Sequence, residues 1–176
     1  ELIIDSIGMA HKKNEFIKCL LFGGQWGKKQ NYENKLRSYS QKYYGNSLAL
    51  PGKIKPQEAY QAWQNLDLAI HLPKSENCGG VIEPLLCGLP VLTNSTGGIP
   101  EVIFHKKTGY VCQNNVNSVI EGIEYLYKNK DESRYYTENG IKLVSHMFNV
   151  NRTADEIFQI YMHILSNSSL PEVFNS

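Results

Sequence analysis

The sequence predicts an α/β fold in which helices cover both faces of a parallel sheet. Short apolar runs alternate along the chain with longer segments of helical period, which is the signature of strand–helix units. The apolar runs show little polar alternation, as expected for strands that are buried on both faces. A length of 176 residues suits one domain with its own core.

Five strands are predicted from the apolar runs. They are Cys19–Phe22, Ser47–Leu50, Leu68–Leu72, Pro90–Thr93 and Gly109–Cys112.

The helices are predicted from apolar residues spaced three or four apart. Residues 1–14 carry Ile3, Ile7 and Ala10 on one stripe. The other predicted helices are Gln30–Tyr44, Pro56–Trp63, a short helix beginning at Gly79 or Gly80, Val116–Tyr127, Glu132–Met147 and Thr153–Leu165. Because a βαβ sheet normally starts with a strand, the initial helix predicts a strand upstream of Glu1. We therefore expect one domain over residues 1–166 and a flexible tail over residues 167–176.

Composition argues against several classes of protein. Hydrophobic residues make up 41%, charged residues 20%, and the formal net charge is +1, a balance that speaks against disorder and against a basic nucleic-acid binder. No stretch approaches the roughly 20 apolar residues that cross a bilayer, and residues 1–20 lack the pattern of a signal peptide. The four cysteines form no C-x-x-C pair, so neither a disulfide scaffold nor a zinc site is expected. The predicted protein is soluble and cytoplasmic and has no nucleic-acid partner.

The strongest functional signal follows the third predicted strand. Ligands of a doubly wound, Rossmann-like sheet bind beyond the carboxyl ends of its strands. Pro84 cannot lie deep in a helix, which places the helix start at Gly79 or Gly80. The exposed N–H groups there carry about half a positive charge and favour a phosphate. Glu83 is expected in the first turn, where its carboxylate can accept bonds from two sugar hydroxyls. Alternatively, it is a helix-start carboxylate stabilised by the dipole alone.

A second glycine loop supports the phosphate hypothesis. Gly97 and Gly98 precede Pro100 and Glu101, which predict a second helix start. Two helix ends at one sheet edge can converge on a single diphosphate. His71, at the end of its strand, is either an acid–base candidate or a hydrogen-bonded strand residue.

The segment from Leu68 to Val102, LAIHLPKSENCGGVIEPLLCGLPVLTNSTGGIPEV, resembles the donor-binding half of retaining GT-B glycosyltransferases of the group 1 family. A weaker likeness covers nearly the whole chain. The resemblance implies the C-terminal half of a GT-B fold and a nucleotide diphosphate-sugar as donor substrate, with no metal or other cofactor. It also implies an N-terminal acceptor-binding domain of the same protein as partner.

The resemblance implies roles for residues at the matching positions. Glu83 corresponds to the acid that binds the ribose, and Glu76 to the catalytic-site acid that contacts the transferred sugar. The spacing between the two is one residue shorter than is usual in the family, so Ser75 remains an alternative for the first acid. The other expected substrate-binding residues are Lys53, Ile54, Asn77, Cys78, Gly79, Gly80, Val81, Ile82, Gly97 and Gly98.

The resemblance finally implies a function. It is donor binding in a retaining glycosyltransferase of bacterial surface polysaccharide biosynthesis, in the cytoplasm or at the inner face of the membrane through peripheral association of the whole enzyme. A noncatalytic nucleotide-sugar-binding module and a sugar-nucleotide epimerase of the same architecture are the alternatives. The chain alone is expected to bind a nucleoside diphosphate weakly and to transfer no sugar, because the family's diphosphate-gripping Arg and Lys do not lie within it.

Overall fold

A computed structural model describes residues 1–14, 16–24, 31–75 and 78–166. The predicted start of the second helix at Gln30, the site candidates Glu76 and Asn77, and the predicted tail at 167–176 lie outside these ranges. The elements in chain order are α1 (Leu2–Lys13), β1 (Cys19–Phe22), α2 (Asn31–Tyr44), β2 (Leu48–Gly52), α3 (Pro56–Trp63), β3 (Ala69–His71), α4 (Gly79–Leu86), β4 (Val91–Thr93), β5 (Tyr110–Val111), α5 (Val116–Lys128), α6 (Lys130–Met147) and α7 (Val150–Ser166). Short 3₁₀ turns occupy Gly45–Ser47 and Ile99–Glu101.

All strand pairs are parallel, and the sheet has two parts. β1 pairs with β2, and β3, β4 and β5 pair in that order. Within the described ranges no pairing joins β1 to β3. In the three-stranded part, Ala69 lies opposite Val91 and His71 opposite Thr93. Because the strands are parallel, their carboxyl ends, and the loops that follow them, lie along one edge of each part.

Helices cover both faces of the sheet, as predicted. Successive residues of β4 point to opposite faces: Leu92 belongs to one apolar cluster and Val91 to another, and both are fully buried. The first cluster contains Ile4 of α1 and Val119 of α5. In the second cluster, α4 packs against α6, β3 and β4. The α/β architecture expected from the buried apolar runs is thereby confirmed.

Hydrogen bonds between polar side chains join α1 to α2. The carboxylate Oδ1 of Asp5 accepts hydrogen bonds from the hydroxyls of Tyr39 at 2.7 Å and Tyr44 at 3.0 Å. The bond to Asp5 and partial burial raise the pKa of Tyr39 to about 12. The buried stripe of α1 is Ile4, Ile7 and Ala10. Ile3, which the sequence pattern put on that stripe, is half-buried beside it.

α5 and α6 meet at a second polar cluster. The Glu132 carboxylate accepts hydrogen bonds from the hydroxyls of Tyr125 at 2.5 Å and Tyr136 at 2.6 Å. The ammonium of Lys106 lies 3.9 Å from the centroid of the Tyr125 ring. The two hydroxyl donors favour the charged carboxylate and lower the pKa of Glu132.

This cluster predicts a specific loss of stability in acid. A carboxyl with a lowered pKa in the folded state stabilises the fold above its unfolded pKa of about 4.3, and this contribution is lost as the pH falls through the folded value. We expect Glu132→Gln to show a smaller drop in the free energy of unfolding between pH 6 and pH 3 than the wild type, measured by urea denaturation. Glu138→Gln, an exposed change on the same helix, should keep the wild-type pH dependence. The same drop in all three proteins would contradict the assignment.

α7 differs from the other long helices in its surroundings. None of its residues is buried in the described part of the chain. Its large exposed apolar side chains are Val150, Ile157, Phe158, Ile160, Tyr161, Met162, Ile164 and Leu165. Over the same ranges, no helix combines the length and apolarity that crossing a bilayer requires.

Candidate functional site

α4 begins at the carboxyl edge of the three-stranded part. Its first residue is Gly79, as the position of Pro84 predicts. The preceding Cys78 has a φ of +73°, a left-handed conformation that is uncommon outside glycine. The Cys78 carbonyl accepts from the N–H groups of Val81 at 3.1 Å and Ile82 at 3.2 Å. This sharp turn directs the N-terminus of α4, with its partial positive charge, towards the edge where ligands of such sheets bind.

Glu83 is exposed on α4. It is the fifth residue of the helix, so the prediction of a first-turn position is wrong; the helix begins at the earlier of the two predicted glycines. The dipole acts mainly within the first turn, which weakens the alternative that Glu83 only stabilises the helix start. Gly79 and Glu83 share one face because they are four residues apart, and a helical side chain leans towards the N-terminus. Glu83 therefore lies on the face of α4 that continues from the helix start at Gly79.

Gly80 packs directly against His71. A Cβ added at Gly80 would lie 2.5 Å from Cε1 of the imidazole, closer than real Cβ atoms approach a neighbour. The His71 carbonyl also accepts a hydrogen bond from Oγ1 of Thr93 at 2.7 Å. An alanine at position 80 would therefore have to displace the His71 imidazole or the start of α4, whether or not a ligand approaches it.

The second glycine loop does not lead into an α-helix. Ile99–Glu101 form one 3₁₀ turn, and the prediction of two helix ends at this edge is wrong. Gly97 has a φ of +58°, so it serves the turn, and Gly98 precedes the 3₁₀ residues. The side chain of Ile99 is fully buried, because it is drawn into the cluster beneath α4. Three residues cannot build the dipole of a longer helix.

Lys53 and Ile54 follow β2 in the two-stranded part. A Cβ on Gly24, in the loop after β1, would lie 3.1 Å from Cβ of Lys53. The Gly23 N–H donates to the carbonyl of Gly52 at 2.9 Å, so the loops after β1 and β2 run together. Lys53 is exposed and Ile54 half-buried, which leaves the Lys53 ammonium accessible to a ligand.

The remaining predicted site residues differ in how deeply their side chains are buried. The side chains of Val81 and Cys78 lie in the core cluster, so only their backbone is available to a ligand. Ile82 is half-buried and Ser75 is exposed.

Two residues at the end of β4 were not identified from the sequence as site residues. Thr93 is fully buried and Asn94 is 2% exposed. The amide Nδ2 of Asn94 donates to the carbonyl of Pro73 at 2.8 Å, in the loop that leads towards α4. The sequence feature that could have identified them is a pair of polar residues at the end of an apolar strand, Thr93 as its last residue and Asn94 directly after it.

A polar hollow lies beside the outer strand β5. Its volume is about 570 Å³, and it is lined among others by Ser95, Gln113, Asn115 and Ser118. The Asn115 side chain caps α5 by accepting from the N–H of Ser118 at 2.9 Å. The α4 residues do not line this hollow.

Solved structures show which fold this is. The chain superposes on HepE from Anabaena, in complex with UDP-glucose, with a TM-score of 0.79 and 19% identity, over 95% of this chain and 44% of HepE. It superposes on the C-terminal domain of LpcC, a glycosyl transferase group 1 family protein from Francisella tularensis, with a TM-score of 0.74 and 16% identity, over 85% of this chain and 78% of that domain. The fold is the α/β architecture of GT-B glycosyltransferases.

Residues 1–143 match the glycosyl transferases group 1 family, and the chain belongs to it. N-acetyl-alpha-D-glucosaminyl L-malate synthase of Bacillus anthracis is 32% identical over 101 residues, which are 56% of this chain and 26% of that protein. The GPI3 subunit of phosphatidylinositol N-acetylglucosaminyltransferase from Saccharomyces cerevisiae is 24% identical over 168 residues, 95% of this chain and 36% of that protein. The chain thus spans about a quarter to a third of these curated relatives.

Proposed function

We propose that this chain is the donor-binding, C-terminal domain of a retaining glycosyltransferase that uses a nucleotide diphosphate-sugar. The observation that carries the proposal is the start of α4 at the sheet edge with exposed Glu83 one turn further on the same face as Gly79. Family membership over residues 1–143 supports it. HepE, which shares the fold, has been solved with UDP-glucose.

In this proposal the backbone at the start of α4 receives the diphosphate. Gly79 and Gly80 bring the helix end close to the phosphate oxygens, since neither carries a side chain to hold them off. Glu83 accepts bonds from the ribose hydroxyls. Lys53 and Ile54 lie beside the base.

The loop residues complete the proposed site. Glu76 contacts the transferred sugar near the reacting centre, with Asn77 and Cys78 between it and the helix. The turn at Gly97 and Gly98 contributes backbone N–H groups, although it lacks the dipole of a second helix.

Catalysis by such a site is chiefly electrostatic. When the bond between the anomeric carbon and the diphosphate breaks, negative charge grows on the leaving phosphate oxygens. Backbone donors already aimed at those oxygens stabilise the transition state without having to reorganise. Retention follows if the acceptor hydroxyl attacks from the face that the diphosphate leaves, and a base for that hydroxyl belongs to the other domain. No metal or other cofactor forms part of this proposal.

An N-terminal acceptor-binding domain is the proposed partner. The apolar side chains of α7 that lie exposed here would be covered by it, because an apolar surface of this kind marks an interaction site. The relatives are about three to four times as long as the matched segment, which leaves room for such a domain.

We also propose that a strand preceding α1 pairs with β1 and β3, since these edges are not joined to each other in the described residues. A role in bacterial surface polysaccharide synthesis, at the inner face of the membrane, completes the proposal.

Calorimetric titration of the chain and of the intact protein tests this function. The probes are UDP, UDP-glucose and UDP-N-acetylglucosamine, the last because both curated relatives described above are named for N-acetylglucosaminyl groups. ADP and GDP test the choice of base. We expect the chain to bind a nucleoside diphosphate weakly and to transfer no sugar, whereas the intact protein binds more tightly and transfers.

Four outcomes would overturn all or part of the proposal. Absence of nucleoside diphosphate binding by the intact protein would refute donor binding. Binding without any turnover would favour a noncatalytic module. Conversion of the donor sugar to its epimer, without transfer to an acceptor, would identify an epimerase. Transfer by the purified chain alone would show that the second domain is not required.

A further inference from the structure

We propose that Asn94 is a positioning residue for the loop between β3 and α4, and this inference rests on the proposed donor-binding function. Asn94 directly follows β4 and is 2% exposed. Its amide Nδ2 donates to the carbonyl of Pro73 at 2.8 Å and to Oδ1 of Asn114 at 2.9 Å. One side chain therefore connects the three loops that follow β3, β4 and β5.

The hydrogen bond from Asn94 to the Pro73 carbonyl lies just beyond the last paired residues of β3 and β4. The last paired residues of β3 and β4 are His71 and Thr93, and Thr93 Oγ1 donates to the His71 carbonyl at 2.7 Å. Pro73 lies two residues further on, beyond the ladder, so backbone bonds between β3 and β4 no longer hold it. Asn94 supplies a side-chain bond in their place. The consecutive residues Thr93 and Asn94 thus hold two carbonyls at the exit of β3.

The amide at position 94 is better explained by these donated bonds than by core packing. Its Oδ1 is buried and has no hydrogen-bond partner within the described ranges. A buried acceptor without a partner costs free energy that an apolar side chain of similar volume would avoid. The two bonds donated by Nδ2, which hold the loops, offset this cost.

Along the chain, the held loop leads first to Glu76, the proposed contact of the transferred sugar, and only then to the proposed diphosphate site. Pro73 is followed by the exposed residues Lys74 and Ser75, and the chain then reaches Cys78 and the start of α4. If the Pro73 carbonyl rotates, the direction of this segment changes, because the peptide plane moves as a unit. Asn94 itself is too buried to be counted among the donor-contacting groups. Its loss should therefore impair transfer more than binding of the nucleoside diphosphate, which does not include the sugar.

Two variants remove the donor in different ways. Asn94→Asp keeps the shape but replaces the donor with an acceptor that repels the Pro73 carbonyl. Asn94→Ala removes the group altogether, so the comparison remains available if the aspartate variant folds poorly. Asn114→Ala is the matched control, because it removes the bond to the loop after β5 and leaves the bond to Pro73.

Three measurements on the intact protein test the inference: the NMR chemical shift of the Lys74 backbone N–H, which belongs to the same peptide group as the Pro73 carbonyl, kcat with the nucleotide-sugar found by the titration above, and the Kd for UDP. Both Asn94 variants are expected to shift the Lys74 N–H signal, because the Pro73 carbonyl loses its hydrogen bond, and to lose about tenfold in kcat, because a loop near the reacting centre is misplaced. The Kd for UDP should change by no more than about twofold. Asn114→Ala should resemble the wild type in all three.

An unchanged Lys74 N–H signal in the Asn94 variants would overturn the inference, as would a shifted signal with unchanged kcat. A tenfold weaker Kd for UDP with unchanged kcat would assign Asn94 to nucleotide binding instead. If the wild-type protein binds no nucleoside diphosphate, the proposed function is refuted, and the catalytic half of this inference falls with it. The Lys74 N–H signal would still show whether Asn94 holds the Pro73 carbonyl.

Discussion

Replacing Glu83 with glutamine is expected to weaken binding of a nucleoside diphosphate by roughly 10- to 100-fold, because hydrogen bonds to a charged group contribute about 1.5–3 kcal/mol and an amide keeps one acceptor oxygen only. The proposed ligand of the carboxylate is the ribose, so the loss should appear with UDP itself and not only with the sugar nucleotide. Calorimetric titration of the intact protein measures it.

A modified ligand makes the Glu83 test specific. The wild type should bind 2′-deoxy-UDP more weakly than UDP, since one hydroxyl donor is missing, whereas Glu83→Gln should discriminate less between them. Glu76→Gln should keep most of the affinity for UDP, because its proposed contact is the transferred sugar. Glu138→Gln, exposed on α6, controls for the loss of a negative charge. Equal losses in Glu83→Gln and Glu76→Gln would count against the ribose role.

Gly80→Ala is expected to destabilise the domain by about 1–3 kcal/mol, the usual cost of forcing extra volume into a packed site. Helix propensity alone predicts the opposite sign, since alanine is better than glycine by about 1 kcal/mol inside a helix. We expect the clash to outweigh helix propensity because the added Cβ would meet three atoms of the His71 ring, and that half-buried ring or the start of α4 would have to move. Since the displaced part is the start of α4, affinity for UDP should fall by roughly tenfold as well. Urea unfolding and calorimetry measure the two effects.

A second substitution separates the clash from other causes. In the double variant Gly80→Ala, His71→Ala the imidazole is absent, and the destabilisation should be smaller than the sum of the two single changes. Gly122→Ala is the matched control on α5. There an added Cβ would lie 2.5 Å from Cδ1 of Leu92 and 3.1 Å from Cε1 of Tyr110, neither of which belongs to α4, so stability should fall while the folded protein keeps its affinity for UDP. Additive single changes would refute the proposed contact between Gly80 and His71.

Features set by neighbouring residues were predictable from the sequence. The bounds of α3 are those predicted, Pro56–Trp63, because Pro56 suits the first helical position and the Glu58 carboxylate accepts from the Lys55 N–H at 2.8 Å. The start of α4 followed from Pro84, since a proline without an N–H restricts how much helix can precede it. β1 also has its predicted bounds.

Strand ends and the second loop depended on distant residues. β3 and β5 are shorter than the apolar runs Leu68–Leu72 and Gly109–Cys112, because a strand extends only as far as its neighbour pairs with it. Ile99 enters the cluster below α4, and the chain after Gly98 makes one 3₁₀ turn where a longer helix was predicted. Apolar periodicity does not contain this information.

The sequence by itself determined the α/β class, the order of its elements and the start of α4 at a glycine, because each depends on residues close together along the chain. Only the tertiary structure decided that Gly80 faces the imidazole of His71 and that Asn94 holds the carbonyl of Pro73. These pairs lie 9 and 21 residues apart. They meet because parallel strands bring the loops at their carboxyl ends to one edge, and that proximity arises only when the strands have paired.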